Sequence, residues 1–81
     1  MTKMKIELHK SVEKFLDRLP LKQKSRLAKA IFKLPQGDNV PLTGFKGKFR
    51  LRVGGWRIVW VYQDYGILVV EIDNRGDAYR K

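Results

Sequence analysis

Apolar and polar positions alternate most cleanly between Phe49 and Trp60. Phe49, Leu51 and Val53 share one parity and Arg50 and Arg52 the other. After Gly54-Gly55 the alternation resumes, with Trp56, Ile58 and Trp60 apolar and Arg57 between them. Side chains of a strand point to opposite faces in turn, so each run is a strand with one apolar face. Two glycines between such runs signal a hairpin, because a tight primed turn needs positive φ. With Gly54 and Gly55 as the loop pair, Val53 faces Trp56, Arg52 faces Arg57, Leu51 faces Ile58 and Phe49 faces Trp60. One face becomes a continuous apolar layer, and Trp56 and Trp60 read as core. The other face sets Arg52 directly opposite Arg57, with Arg50 two residues along the strand.

The same patterning predicts the remaining elements. Met4, Ile6 and Leu8 alternate with Lys5 and Glu7, giving a first strand from about Met4 to His9. Ser11 is the expected N-cap of a helix with Glu13 in its first turn. Val12, Phe15, Leu16 and Leu19 form its apolar stripe, and Pro20 ends it or opens the next helix. Leu27, Ala28, Ile31 and Leu34 make a second stripe, with Lys22, Lys24, Arg26, Lys29 and Lys33 on the outer face. Pro35 and Gly37 stop that helix. The stretch from Gln36 to Gly47, punctuated by Gly, Pro, Asn and Asp, reads as a loop. A third strand then runs to Tyr62. Asp64-Tyr65-Gly66 fits a three-residue loop with Gly66 left-handed. That register pairs Tyr62 with Leu68, Trp60 with Val70, Ile58 with Ile72 and Arg57 with Asp73, and brings Arg75 beside Arg52 and Arg57. The expectation is an α+β chain of order β-α-α-β-β-β, with a helical hairpin on one face of an antiparallel sheet.

Composition narrows the function. A chain of 81 residues is of the size of one domain spanning residues 1–81, and it buries roughly 60–65% of its unfolded surface. It has no cysteine, which excludes a disulfide framework and thiolate metal sites. Short apolar runs broken by charge argue against a signal peptide or a membrane partner, so a soluble cytoplasmic protein is expected. The formal net charge is +10, from 18 basic and 8 acidic residues. That balance favours a nucleic acid or an acidic protein as partner.

Like charges directly opposite across a strand pair are destabilising. A single arginine alternating with apolar residues is an ordinary solvated position. Arg50, Arg52 and Arg57 converging on one face make sense when an anion occupies it. Lys46 and Lys48 share the parity of Arg50 and either extend a phosphate track or are solvated loop lysines. His9 is the sole histidine and nothing places it with the arginines. Glu71 and Asp73 lie one strand step apart. They read as ion-pair partners holding the Arg57 fork, with no other hard ligands converging to make a metal site.

The element order, the Leu42-Thr43-Gly44 loop, the run from Phe49 to Trp60, and the ending Asn74-Arg75-Gly76-Asp77-Ala78-Tyr79 together resemble the RelE/ParE toxin superfamily. The likeness spans nearly the whole chain, with the strand-turn-strand motif specific and the helical half generic. It implies the microbial-RNase-like RelE fold and the toxin of a toxin–antitoxin pair, silenced by a small acidic antitoxin. The RelE branch cleaves messenger RNA in the ribosomal A site, which implies mRNA, the ribosome and its rRNA as partners. The ParE branch poisons DNA gyrase without cutting nucleic acid, and a degenerate member binds RNA or antitoxin without cutting. The Arg-x-Arg strand and the arginine followed four residues later by tyrosine look more like RelE. By resemblance, Arg52, Arg57, Arg75 and Tyr79 are the catalytic positions, and Lys46, Lys48 and Arg50 the RNA-binding ones. Many relatives have histidine where this chain has Asn74, and some have lysines at Arg50 and Arg52. Those departures leave the proton-transfer groups open.

The implied chemistry uses no metal or cofactor. A 2′-hydroxyl attacks the adjacent phosphorus, and arginines neutralise charge gathering on the phosphate oxygens. Losing one such donor costs about 2.7–4 kcal/mol in comparable oxyanion sites. Arginine stays charged and is a poor base. Tyr79 therefore either transfers a proton, its phenol acidified by neighbouring arginines, or stacks on a base.

Overall fold

The computed structural model describes residues 5–42, 44 and 46–74. The element order is β1 (Lys5–Leu8), α1 (Lys10–Asp17), α2 (Leu21–Ile31), β2 (Asn39–Pro41), β3 (Lys48–Val53), β4 (Trp56–Gln63) and β5 (Gly66–Asn74). The α+β architecture follows from the amphipathic patterns. Val12 and Leu16 of α1 and Leu27 and Ile31 of α2 are buried against Leu51, Ile58, Trp60, Ile67 and Val69 of the sheet. The two apolar stripes cover one sheet face, with Ala30 rather than Ala28 as the small residue packed against the core.

The cap of α1 differs from expectation. His9, not Ser11, is the N-cap, and its Nδ1 accepts from the Ser11 backbone N–H at 3.1 Å. The backbone N–H of His9 also donates to the Val69 carbonyl at 2.9 Å. One residue thus closes the β1–β5 ladder and opens the helix, so the helix begins before Ser11 can cap it.

The five strands run in the order β1-β5-β4-β3-β2. The sheet is mixed rather than antiparallel, because β1 pairs with β5 in parallel. The chain leaves β1 into helices and not into a tight turn, so no hairpin forces it antiparallel. The fifth strand, β2, lies within the segment expected to be loop. It pairs Asn39 with Leu51, Val40 with Arg50 and Pro41 with Phe49. It sits at the sheet edge, where a proline is tolerated. Asn39 anchors it, accepting from Trp60 Nε1 at 2.9 Å and donating to the Pro35 carbonyl at 2.7 Å.

The β3–β4 register is the one the alternation predicts, from Phe49 with Trp60 to Val53 with Trp56. Gly54 takes φ 60°, as the first loop position of a type II′ turn requires. The β4–β5 hairpin departs from expectation. Gln63 pairs with Gly66, leaving Asp64-Tyr65 as a two-residue loop, and Tyr62 and Trp60 face Ile67 and Val69 instead of Leu68 and Val70. The register then shifts between Val59 and Trp60, so that Ile58 faces Ile72 and Arg57 faces Asp73. Val70 is the extra residue of this bulge, and such an insertion switches the parity of the strand. That switch puts Ile67, Val69 and Ile72 all in the core, at 0%, 0% and 7% exposure.

Gly66 has a different role from the one expected. It is a strand residue without positive φ, and a Cβ there would overlap the Lys5 carbonyl oxygen. Its lack of a side chain lets β1 approach. Asparagine tolerates a left-handed turn position but cannot relieve this clash. Gly66→Asn should therefore destabilise the fold as much as Gly66→Ala, toward the upper end of the ~1–3 kcal/mol typical of overpacking. Urea denaturation checks this, and a tolerated Gly66→Asn would restore the loop role.

Candidate nucleic-acid interface

The β3–β4 register dictates the second sheet face. Arg52 stands opposite Arg57, Arg50 opposite Val59 and Lys48 opposite Val61. On β5, Asp73 faces Arg57 and Glu71 faces Val59. Neither described helix covers this side. Arg52 is exposed, whereas Arg50, Arg57 and Lys48 are half-buried. The backbone of Arg52 is held from its outer side as well, donating to the Asp38 carbonyl at 3.1 Å.

Val59 sits in the middle of this face, between Arg50 and Glu71 in register, and is only 3% exposed. Arginine stems can lie along such apolar surface while the charged head stays in water. Consistent with that posture, Nε of Arg50 and Nε of Arg57 are buried and have no hydrogen-bond partner among the described residues. A buried donor left unmade carries a desolvation cost of about 1–3 kcal/mol.

The carboxylates do not relieve it. Among the described residues neither Glu71 nor Asp73 forms an ion pair with Arg57, so the expected clamp on its fork is not formed. Facing positions in register do not by themselves bring a short carboxylate onto a long guanidinium lying over the sheet. The acids that are paired lie elsewhere, with Glu7 on Lys5 at 3.3 Å and Asp17 on Lys24 at 2.9 Å.

The structure thus brings together Arg50, Arg52 and Arg57, with Lys48 on the same face one step along β3. Lys46 is exposed in the loop before β3. Arg75 and Tyr79 lie outside the described residues. His9 is a helix cap and stands apart from the arginines. A further arginine was not legible in the sequence as part of this region. Arg26 of α2 reaches the Gly54 turn, and a Cβ on Gly54 would lie 2.9 Å from Arg26 Nη2. Its helical position marks it only as outward-facing, and no pattern signals that the outer face of α2 meets the end of the hairpin.

What this arrangement can do is bind an anion. Several guanidinium groups, permanently charged and planar, face solvent on a sheet with an aliphatic base. The fold that carries them is that of the RelE toxins, two helices on a mixed five-stranded sheet. Three solved antitoxin–toxin complexes contain this fold. The RelB–RelE complex of Methanococcus jannaschii matches at TM-score 0.72 and 20% identity, covering 90% of this chain and 94% of that one. The RelE–RelB complex of Pyrococcus horikoshii OT3 matches at 0.73 and 23%, covering 93% and 98%. The RelBE2 complex of Mycobacterium tuberculosis matches at 0.70 and 17%, covering 91% and 100%. No protein-family model and no curated protein matches the sequence.

If the facing arginines serve a ligand and not the fold, removing them should not destabilise the protein. Arg52→Ala and Arg57→Ala should each leave stability within about 0.5 kcal/mol of the parent, because relief of like-charge opposition offsets the lost stem packing. Thermal melts at low salt are the measurement, and a loss above about 2 kcal/mol would assign the pair a structural role.

Proposed function

We propose that this chain is the toxin of a toxin–antitoxin pair and acts as a ribosome-dependent mRNA endonuclease. The observation that carries the reading is the juxtaposition of Arg52 and Arg57 beside Arg50 on the helix-free face. Among the described residues, neither Glu71 nor Asp73 forms an ion pair with Arg57. A phosphate meeting the exposed ends of these guanidinium groups would supply the charge that the neighbouring carboxylates do not. The fold shared with the toxins of three RelB–RelE complexes supports the toxin role and a small acidic antitoxin as partner.

In the proposed step the 2′-oxygen of one nucleotide bonds to the adjacent phosphorus and the bond from phosphorus to the 5′-oxygen breaks. The 2′-proton leaves to a base, and the departing 5′-oxygen gains a proton. The products are a 2′,3′-cyclic phosphate and a 5′-hydroxyl. Arg52, Arg57 and Arg75 neutralise the charge that builds on the phosphate oxygens. Arg50, Lys48 and Lys46 track the flanking phosphates. The step as proposed is metal-independent and draws its base and acid from Tyr79, from water or from rRNA.

Induction of the chain in cells, followed by mapping of mRNA ends, tests the reading. In-frame cuts in translated regions are expected, and Arg52→Ala and Arg57→Ala should each abolish both the cuts and growth arrest while the proteins stay folded. Intact mRNA with gyrase-linked DNA breaks would replace this reading with a ParE-like one. Intact mRNA without such breaks would leave a binding protein.

The role of Tyr79 separates by two substitutions. If its hydroxyl moves a proton, Tyr79→Phe slows single-turnover cleavage on programmed ribosomes by roughly 10²–10⁴-fold with binding nearly unchanged. If the ring stacks on a base, Tyr79→Phe is nearly silent and Tyr79→Ala loses about 1–3 kcal/mol of binding. Wild-type rates in both variants would remove Tyr79 from the site.

A further inference from the structure

The helix-free face is graded in charge from one side of the sheet to the other. Rows of residues run across it in register. Arg52, Arg57 and Asp73 form one, Arg50, Val59 and Glu71 the next, and Lys48, Val61, Leu68 and Glu7 another. Each row begins with a cation on β3 and ends with a carboxylate on β5 or β1. The grading depends on the bulge at Val70. Leu68 lies on this face opposite Val61, so an unbroken alternation would place Val70 there and turn Glu71 and Asp73 toward the helices. The inserted residue reverses that parity and delivers both carboxylates to the arginine face. Re-aiming a side chain in this way is a common use of bulges beside functional sites.

The acids at the row ends differ. Glu7 is engaged, accepting from Gln63 Nε2 at 2.9 Å and pairing with Lys5 at 3.3 Å. Those partners, Gln63 first and then Lys5, hold its carboxyl below the usual carboxylate range. Asp73 is half-buried and faces Arg57. Glu71 is exposed and makes no side-chain hydrogen bond or ion pair among the described residues. A free carboxylate repels a phosphate, so an RNA backbone on this face follows the β3 column of Lys48, Arg50 and Arg52 and keeps off β5. The two strands are two strand spacings apart, about 10 Å, comparable with the reach from a nucleotide's phosphate to the hydrogen-bonding edge of its base. With a phosphate at Arg50, that edge crosses the uncharged Val59 position and arrives at Glu71.

We propose that Glu71 is a specificity-determining residue that reads the Watson–Crick edge of a guanine whose phosphate is held at Arg50. An ionised carboxylate offers acceptors only. Adenine and cytosine set a ring-nitrogen acceptor beside the amino group on this edge, and uracil flanks its N3–H with two carbonyl oxygens. Guanine presents two adjacent donors, N1–H and the 2-amino group, which match the two oxygens of one carboxylate. Unstacked bases of single-stranded RNA expose this edge to such readout. The inference rests on the RNA-cleaving reading above and adds which way the strand lies on the sheet and which base it selects. The cations of β3 fix the backbone, and the carboxylate of β5 fixes the side to which the bases point.

The test uses the full chain and labelled 2′-O-methyl RNA heptamers, which lack the nucleophile for cleavage, in fluorescence anisotropy. Each heptamer is a uridine run with a central guanosine, inosine or adenosine. The parent should bind the guanosine heptamer about tenfold more tightly than the adenosine one. Inosine, which keeps N1–H and lacks the 2-amino group, should fall between them. Glu71→Gln replaces an acceptor oxygen by a donor and should erase the preference without weakening the adenosine heptamer. Glu71→Asp keeps the charge but draws it back by a methylene, and should lose most of the preference. Glu13→Gln makes the same charge change as Glu71→Gln at an exposed position of α1 and should keep the preference. Thermal melts establish that each variant is folded. No binding or no preference in the parent, a full preference in either Glu71 variant, or its loss in Glu13→Gln would each overturn the proposal. Mapping of mRNA ends in cells scores the nuclease reading separately. Intact mRNA together with the expected heptamer results removes the nuclease and leaves the base reader, whereas in-frame cuts without a heptamer preference do the reverse.

Discussion

The pairing of β3 with β4, in the single register closed by Gly54-Gly55, governs the rest of the molecule. Side chains alternate along both strands, so this register sorts Phe49, Leu51, Val53, Trp56, Ile58 and Trp60 to one face and Arg50, Arg52 and Arg57 to the other. A slip of one residue would carry arginines into the core and tryptophans into solvent. The two helices have a surface to cover only because that sorting holds. Trp60, 1% exposed, reinforces it by donating to Asn39, which ties the edge strand to the centre of the hairpin. The same registration that builds the core therefore aims the arginines.

Where local pattern and burial agree, the sequence is legible. The helical stripes, the central hairpin and the arginine juxtaposition all follow from period and turn chemistry. The misreadings share a cause: each depends on a neighbour distant in sequence. Gly66 resembles a loop glycine until β1 lies against it. The Val70 bulge follows from β5 having to keep aliphatic residues inward along its whole length. β2 is too short, and too marked by proline and asparagine, to read as a strand until β3 offers it an edge. His9 becomes a cap because Val69 fixes its backbone. Of the site, Arg50, Arg52 and Arg57 were readable from alternation alone, whereas Arg26 was not, since the path of α2 past the Gly54 turn is a tertiary fact.

The arginine face is an instance of local conflict kept inside a consistent fold. In the helical stripes and the central hairpin, propensity, pattern and packing point the same way, as expected of a sequence that specifies one structure. Here cationic groups face one another, two Nε atoms are buried without partners among the described residues, and the nearest carboxylates in register do not close on them. The chain has acids to use, and Asp17 and Glu7 are paired at the surface. Facing guanidinium groups that no described carboxylate closes on fit a surface that receives an anion.

Permanent charge has a further consequence for how such a site can be switched off. Arginine does not titrate in the physiological range, so the face cannot be silenced by pH or by a modest pKa shift. It must be neutralised by another anion or covered. A blocking partner that covers the whole sheet face has to meet every guanidinium at once. Arg52 is the exposed member of the set, whereas Arg50 and Arg57 are half-buried, so a carboxylate reaches Arg52 at the smallest desolvation cost. The register that sets Arg52 opposite Arg57 then makes neutralisation of one arginine change the field at its neighbour.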